Sequence, residues 1–364
     1  MEVLIDAHCH SVVAGDVDRL AFEQWCTEAD RPAPGGVSYL DSQVGLAVRR
    51  WCAPALDLPV HAPVADYLAR RAELGWRETT ARLLAAADLT ALLVDTGIDA
   101  GRGGLDLRTL GDLAAAPVHE VVRLERVAED LAADGHVDAA GFADAYATAL
   151  ARRTTGAVAT KSVIAYRHGL DIPAERPSPS RVRSAAGAWL RTGGRLVDPV
   201  LLCFVLWCGV DTGLPLQLHT GFGDRDLRLD RADPALLQPF LAAVEPTGTP
   251  VVLLHGYPYH RQAGWLALTY PNVYLDVGLT MTHLGVRAEA VLGEFLELAP
   301  FGKVLFSTDA YGLPELYLVG AAQFRRALRR LVDGWVGDGA VSTADAERIV
   351  GLVCAGNARR VYRL

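Results

Sequence analysis

Val3-Leu4-Ile5-Asp6-Ala7-His8-Cys9-His10 is a near-continuous apolar run that ends in two histidines. Such a run suits a strand buried on both faces of a parallel sheet. Side chains alternate along a strand, so histidines spaced by one residue point the same way. His8 and His10 therefore form a ready bidentate metal site, with Cys9 turned outward into packing. Seven further β-type runs follow, at 91–95, 120–125, 157–161, 215–219, 250–255, 273–276 and 303–309. Helical patterns at 66–87, 128–153, 179–191, 234–244, 261–270, 287–298 and 320–336 separate them. Eight strand–helix units in order predict a (β/α)8 TIM barrel.

The spacing is uneven. About 80 residues separate the first two strands, where a simple unit needs about 30. Residues 12–88 are expected to form a helical insertion above the barrel mouth, and residues 167–200 another loop. The tail 343–364 reads as a closing helix with a break near Gly356. Gly101-Arg102-Gly103-Gly104 reads as a flexible loop, since no phosphate-binding glycine motif follows a strand there. With no internal repeat and no linker, residues 1–364 are expected to be one barrel domain.

Composition narrows the function. Of 364 residues 51% are hydrophobic and 21% charged, which excludes a disordered chain. The net charge of −8, without a basic run, argues against nucleic acid as a partner. Six cysteines scattered without CxxC spacing read as reduced thiols of a cytoplasmic protein. Met1–Asp6 shows no leader pattern, and the longest apolar run, 200–210, is too short to span a bilayer. Among 35 basic residues only Lys161 and Lys303 are lysines. A surviving lysine marks a place where a permanently charged arginine will not serve.

Active sites of such barrels lie at the C-terminal ends of the strands. The strand at 215–219 ends in His219, that at 250–255 in His255, that at 303–309 in Asp309, and the fourth in Lys161. Each alone is more often a rim or core residue. Together with His8 and His10 they read as one metal site. Neutral imidazoles with a carboxylate suit Zn²⁺ or a similar divalent ion, with a position left for water. Zinc lowers the pKa of such a water to about 7. Asp309 would then take the water's proton and pass it to a leaving group. His255 would orient the substrate or polarise its carbonyl.

These ligands resemble those of the amidohydrolase superfamily. His219-Thr220-Gly221-Phe222-Gly223-Asp224, Tyr270-Pro271-Asn272-Val273-Tyr274-Leu275-Asp276, Phe306-Ser307-Thr308-Asp309-Ala310-Tyr311 and Lys161-Ser162-Val163-Ile164-Ala165-Tyr166-Arg167 resemble one branch closely. That branch is the amidohydrolase-related (amidohydrolase 2 type) domain that precedes a glutamine-synthetase-like domain in fungal fluffy-type (FluG) regulators and plant nodulin-like proteins. The resemblance spans nearly the whole chain and is specific from about Leu89 onward. It implies that His8, His10, His219 and Asp309 hold a divalent metal, zinc first, with Mn²⁺ or Fe²⁺ as substitutes. It implies that His255 is the catalytic or second-metal histidine. In binuclear relatives a lysine at the place of Lys161 is carboxylated and bridges two metals; a plain cation facing a substrate carboxylate is the competing role. Relatives are often homodimers.

Asp224, Tyr166, Arg167 and Tyr257 are the substrate-side candidates. Arg123 and Glu125 read as an interior ion pair, and Tyr311 and Glu315 as parts of the last mouth loop. The expected activity is metal-dependent hydrolysis of a C–N amide, with γ-glutamyl amides suggested by the synthetase-like partner. A metal-dependent decarboxylase and an inert regulatory scaffold are the alternatives.

Overall fold

The computed structural model describes residues 3–98 and 103–364, so two positions of the expected 101–104 loop, Gly101 and Arg102, lie outside the described residues. Eight parallel strands follow in chain order: β1 (Leu4–Cys9), β2 (Leu89–Asp95), β3 (Val118–Arg123), β4 (Ala159–Ser162), β5 (Leu216–Thr220), β6 (Val251–His255), β7 (Val273–Asp276) and β8 (Val304–Leu305). Each pairs with the next. The ring is closed from β1 to the segment after β8 by two backbone bonds. Ala7 N–H donates to the Phe306 carbonyl at 3.1 Å, and Asp309 N–H to the His8 carbonyl at 2.9 Å. This is the TIM barrel expected from the strand pattern.

Alternation along the strands sorts the apolar residues into two cores. Leu4, Leu92, Val122, Leu216 and Val251 pack outward against the helices. Ile5, Leu93, Val121, Ala159, Val252 and Leu254 fill the barrel interior, joined by Ala358, Val361 and Tyr362 of the C-terminal helix. In β1 the alternation is broken once. Asp6 pairs with Leu92 but Cys9 with Val94, so three steps on β1 oppose two on β2. Such a bulge re-aims side chains. Ala7 stays inside, Cys9 joins the outer core, and His8 and His10 both face the barrel axis.

Some elements differ from the sequence expectation. The regular ladder of β8 stops at Leu305, because Phe306 N–H is taken by the Val353 carbonyl and Thr308 N–H by Asp6 Oδ1. The apolar run at 200–210 is the buried helix Pro199–Asp211, capped by the Asp198 carboxylate. No helix of the described residues is long and apolar enough to cross a membrane. Residues 12–88 supply the helices Arg19–Trp25, Gln43–Ala55 and Val64–Ala87. The last two pack along the helix Pro314–Gly337. The tail does not break at Gly356; it widens there into a π turn, Leu352–Gly356, and continues as helix Asn357–Tyr362.

Glu315 lies in the first turn of Pro314–Gly337, fully buried, and not in a mouth loop. It accepts from Arg71 Nε at 2.8 Å and from the Tyr67 hydroxyl at 2.9 Å, pinning Val64–Ala87 to the barrel. Glu315→Leu leaves a buried guanidinium without its carboxylate, so a loss of about 3–5 kcal/mol is expected in denaturant unfolding. Pairing it with Arg71→Met removes the orphaned charge and is expected to recover most of that loss.

Candidate metal centre

The inward positions at the strand ends converge. His8 Nε2 stands 3.1 Å and His10 Nε2 3.5 Å from Asp309 Oδ1, and His255 Nε2 stands 3.3 Å from Asp309 Oδ2. The His219 ring centroid is 4.8 Å from that of His255. Lys161 Nζ lies 2.9 Å from His8 Nε2 and 3.7 Å from Asp95 Oδ2. Two overlapping sets bring their ligand atoms within 4.8 Å of one another: His8 with His10 and Asp95, and His8 with His255 and Asp309. All six residues expected at the metal site therefore meet at one end of the barrel.

Hydrogen bonding settles which nitrogens face the centre. Gln217 Nε2 donates to the Ala7 carbonyl and to the Tyr362 hydroxyl, each at 2.8 Å. Its Oε1 must then accept, and the proton it accepts, at 2.8 Å, is on His8 Nδ1. His10 Nδ1 likewise donates to the Asp95 backbone carbonyl at 3.0 Å. Both Nε2 atoms are left as lone pairs aimed at the Asp309 carboxylate. Lys161 Nζ, at 2.9 Å, serves His8 Nε2 alone, and the remaining acceptors of this buried site repel one another unless a further cation lies among them. Among the described residues, His219 Nε2, both His255 ring nitrogens and Asp309 Oδ1 have no hydrogen-bond partner. A divalent ion fits this donor set.

Electrostatics favours the ligand-competent forms. Burial, then Lys161, brings His8 down to about 4; burial brings His255 down to about 3 and His219 well below the usual imidazole value. All three are neutral near pH 7. Burial alone would raise Asp309; His255, His10 and His8 draw it well below the usual carboxylate range only where they carry or donate a proton toward it, a pull that a bound divalent ion would supply to the neutral set. Burial lowers Lys161. Two non-glycine residues here adopt the left-handed backbone, His255 at φ 68° and Asp309 at φ 51°. Strain of this kind persists where the surroundings hold it. Around His255, Asp276 Oδ1 accepts the backbone N–H at 2.8 Å and Thr280 Oγ1 donates to the carbonyl at 2.9 Å.

Two contributors escaped the sequence reading. Asp95 ends β2, so the strand-end rule would have found it had it been taken to that strand. Burial opposes its ionisation, but Arg123, then His10 and Lys161, hold it well below the usual range. Arg123 pairs with Asp95 at 2.6 Å and not with Glu125. Glu125 belongs to the helix Leu124–Ala133, where it accepts from Ser162 Oγ and the Val163 N–H. Gln217 carries no sequence signal beyond standing two residues before His219 on the same strand face. Gln217→Leu frees the His8 tautomer, and metal affinity is expected to fall about 10–100-fold in competition with a chelating dye.

A cavity of about 320 Å³ opens above the centre. Lys161, His219 and Asp309 lie in its floor, and Tyr166, Arg167 and Asp224 line its wall. Tyr166 packs against His219 with the ring centroids 4.6 Å apart and the rings tilted by 55°. Gly223 leaves no room for a Cβ, which would strike the Tyr166 hydroxyl, so the loop after β5 lies directly over that ring. Arg167 already binds Glu129 Oε1 at 2.8 Å. Tyr257 is not brought to the cavity. Its ring stacks on His260 at 5.5 Å and meets Phe222 edge-on, and it is not among the residues that line the cavity.

Comparisons with known proteins agree with this geometry. The family model described as Amidohydrolase matches residues 5–364. Protein fluG of Emericella nidulans is 36% identical over 223 residues, which is 57% of this chain and 26% of that protein. The matched region spans about a quarter of that curated relative. A provisionally named metal-dependent hydrolase from Lactobacillus casei superposes with a TM-score of 0.88 at 30% identity, over 100% of this chain and 96% of the other. Uronate isomerase of Thermotoga maritima shares the fold, with a TM-score of 0.65 at 15% identity over 99% of this chain and 94% of the other. With a family match that runs through all eight strands, the chain belongs to the amidohydrolase family.

Proposed function

We propose that the chain is a hydrolase that cleaves a C–N amide bond of a small polar molecule, using zinc or a similar divalent ion held by His8, His10, His219 and Asp309. His255 and Lys161 complete the surround. A bound ion supplies Lewis acidity, which acidifies water and polarises a carbonyl. The placement of Asp309 carries the reading: an ionised carboxylate, with one oxygen unpartnered, borders the cavity among neutral imidazoles. Asp309 takes a proton from the attacking water and returns it to the departing nitrogen. His255, neutral and 3.3 Å from Asp309 Oδ2, faces the substrate carbonyl. The FluG likeness favours γ-glutamyl amides, by association rather than chemistry.

The test is a panel of amides and carboxylic acids offered to the metal-loaded protein, with amine and CO₂ measured in parallel. Amine release equal to substrate consumed is expected. CO₂ from an acid, without amine, would instead make the protein a decarboxylase. Lys161→Arg is a second test, of metal number. Arginine forms no carbamate and does not fit a side chain only 2% exposed between His8 and Asp95. Elemental analysis is expected to show fewer metal ions per chain; an unchanged count would leave Lys161 an ordinary cation.

A further inference from the structure

The charges around the cavity do not balance locally. Among the basic residues that line it, Arg123 is paired with Asp95 at 2.6 Å, Arg167 with Glu129 at 2.8 Å and Arg195 with Asp226 at 2.7 Å. Lys161 is buried against His8 and Asp95. On the acidic side Asp226 is taken by Arg195, and Asp309 stands among the imidazoles. Two lining carboxylates are left, Glu28 and Asp224; neither forms an ion pair with a lysine or arginine among the described residues, although Arg195, itself bound to Asp226, attracts Asp224 from farther off. Glu28 Oε1 has His283 Nε2 at 3.8 Å, but burial brings that imidazole down to about 4 and keeps it neutral. Asp224 accepts only the backbone N–H of Asp226, at 2.9 Å.

Glu28 is the one residue of the segment 12–88 that lines this cavity, and it is held there from both sides. The Trp25 ring packs tilted against Tyr311 at 5.0 Å between centroids, in the space that a Cβ on Gly312 would need. Asp30 pairs with Arg225 at 3.7 Å, beside Asp224. Burial, then Asp309 and Asp224, pushes Glu28 up to about 8, and burial raises Asp224 as well. A cation between the two would relieve this repulsion. An independent feature of the same cavity also calls for a ligand. Arg167, with its side chain 8% exposed, keeps its guanidinium Nε without a hydrogen-bond partner among the described residues. The cavity volume is near the lower end of the range of about 300–1,000 Å³ usual for ligand sites, which suits a small metabolite.

We propose that the site selects substrates bearing a protonated amine, which sits between Glu28 and Asp224 while the bond to be cut lies over Asp309. The position of the scissile bond over Asp309 rests on the hydrolase reading; the seat for the amine does not. Charge-assisted hydrogen bonds to an ammonium are the recognition chemistry.

The test is calorimetric titration of the metal-loaded protein with pairs that differ only in an amine: L-glutamate against glutarate, and 5-aminopentanoate against pentanoate. In at least one pair the aminated member is expected to bind about tenfold or more tightly. Glu28→Gln with Asp224→Asn is expected to erase that preference at unchanged metal content. Equal binding in both pairs, preference for the des-amino member, or a preference that survives the double substitution would overturn the proposal. The two readings separate cleanly. An amine preference in a protein that releases no amine from any amide sinks the hydrolase reading alone. Hydrolysis of neutral amides without any amine preference sinks this one alone.

Discussion

A protein with His8 and His10 both changed to alanine is expected to emerge from purification without bound divalent metal and to lose turnover by a factor on the order of 10⁴ or more. The reason is the pair of lone pairs. Gln217 and the Asp95 carbonyl fix the protons of both imidazoles on Nδ1, so both Nε2 atoms face Asp309. Removing them takes two donors from the centre and leaves Asp309 with His255 as its nearest described imidazole. Stability gives a second readout. A metal at 1,000 times its dissociation constant stabilises a folded protein by about 4 kcal/mol, provided the unfolded chain does not bind it. Added zinc is therefore expected to raise the melting temperature of the chelated parent by several degrees and to leave that of the double variant where it was. Normal metal content by elemental analysis, or an equal zinc shift in both proteins, would refute the assignment.

The barrel and most of this centre were legible in the chain because both depend on short-range regularities. An apolar run of strand length followed by a histidine or aspartate says where a strand stops and what it presents. That rule found His8, His10, His219, His255, Asp309 and Lys161, and it holds equally for Asp95. What the chain did not disclose depends on packing between distant segments. The bulge that lets Ala7 and His8 both turn inward is a mismatch of register between β1 and β2, visible only when the two are paired. Gln217 matters because Tyr362, at the far end of the chain, and Ala7 hold its amide in one orientation. Glu315 looked like a mouth residue from its distance past Asp309, yet the helix starting at Pro314 turns it back onto Arg71. Glu28 lies in a segment without periodicity, and the seat of Trp25 on Tyr311 together with the Asp30–Arg225 pair brings it over the centre.

Asp309→Asn is expected to lower kcat by about 10²–10⁴-fold, the range for loss of a positioned general base. The substitution is unusually clean at this position. Asp309 has a φ of 51°, and asparagine and aspartate tolerate the left-handed region better than other residues with a Cβ. The amide keeps the shape of the carboxylate and the backbone, and removes only its charge and its capacity to accept a proton. Asp309→Ala would add backbone strain to the chemical change and could not separate them. Because His8 and His10 remain, Asp309→Asn is expected to retain metal with weakened affinity, so kcat must be measured at saturating zinc. The pH profile then distinguishes the roles. If Asp309 is the base, the acidic limb of kcat that reports its protonation disappears in the asparagine variant. If it were only a ligand, saturating zinc would restore both the rate and the limb, and the proton-transfer role assigned to Asp309 would be wrong.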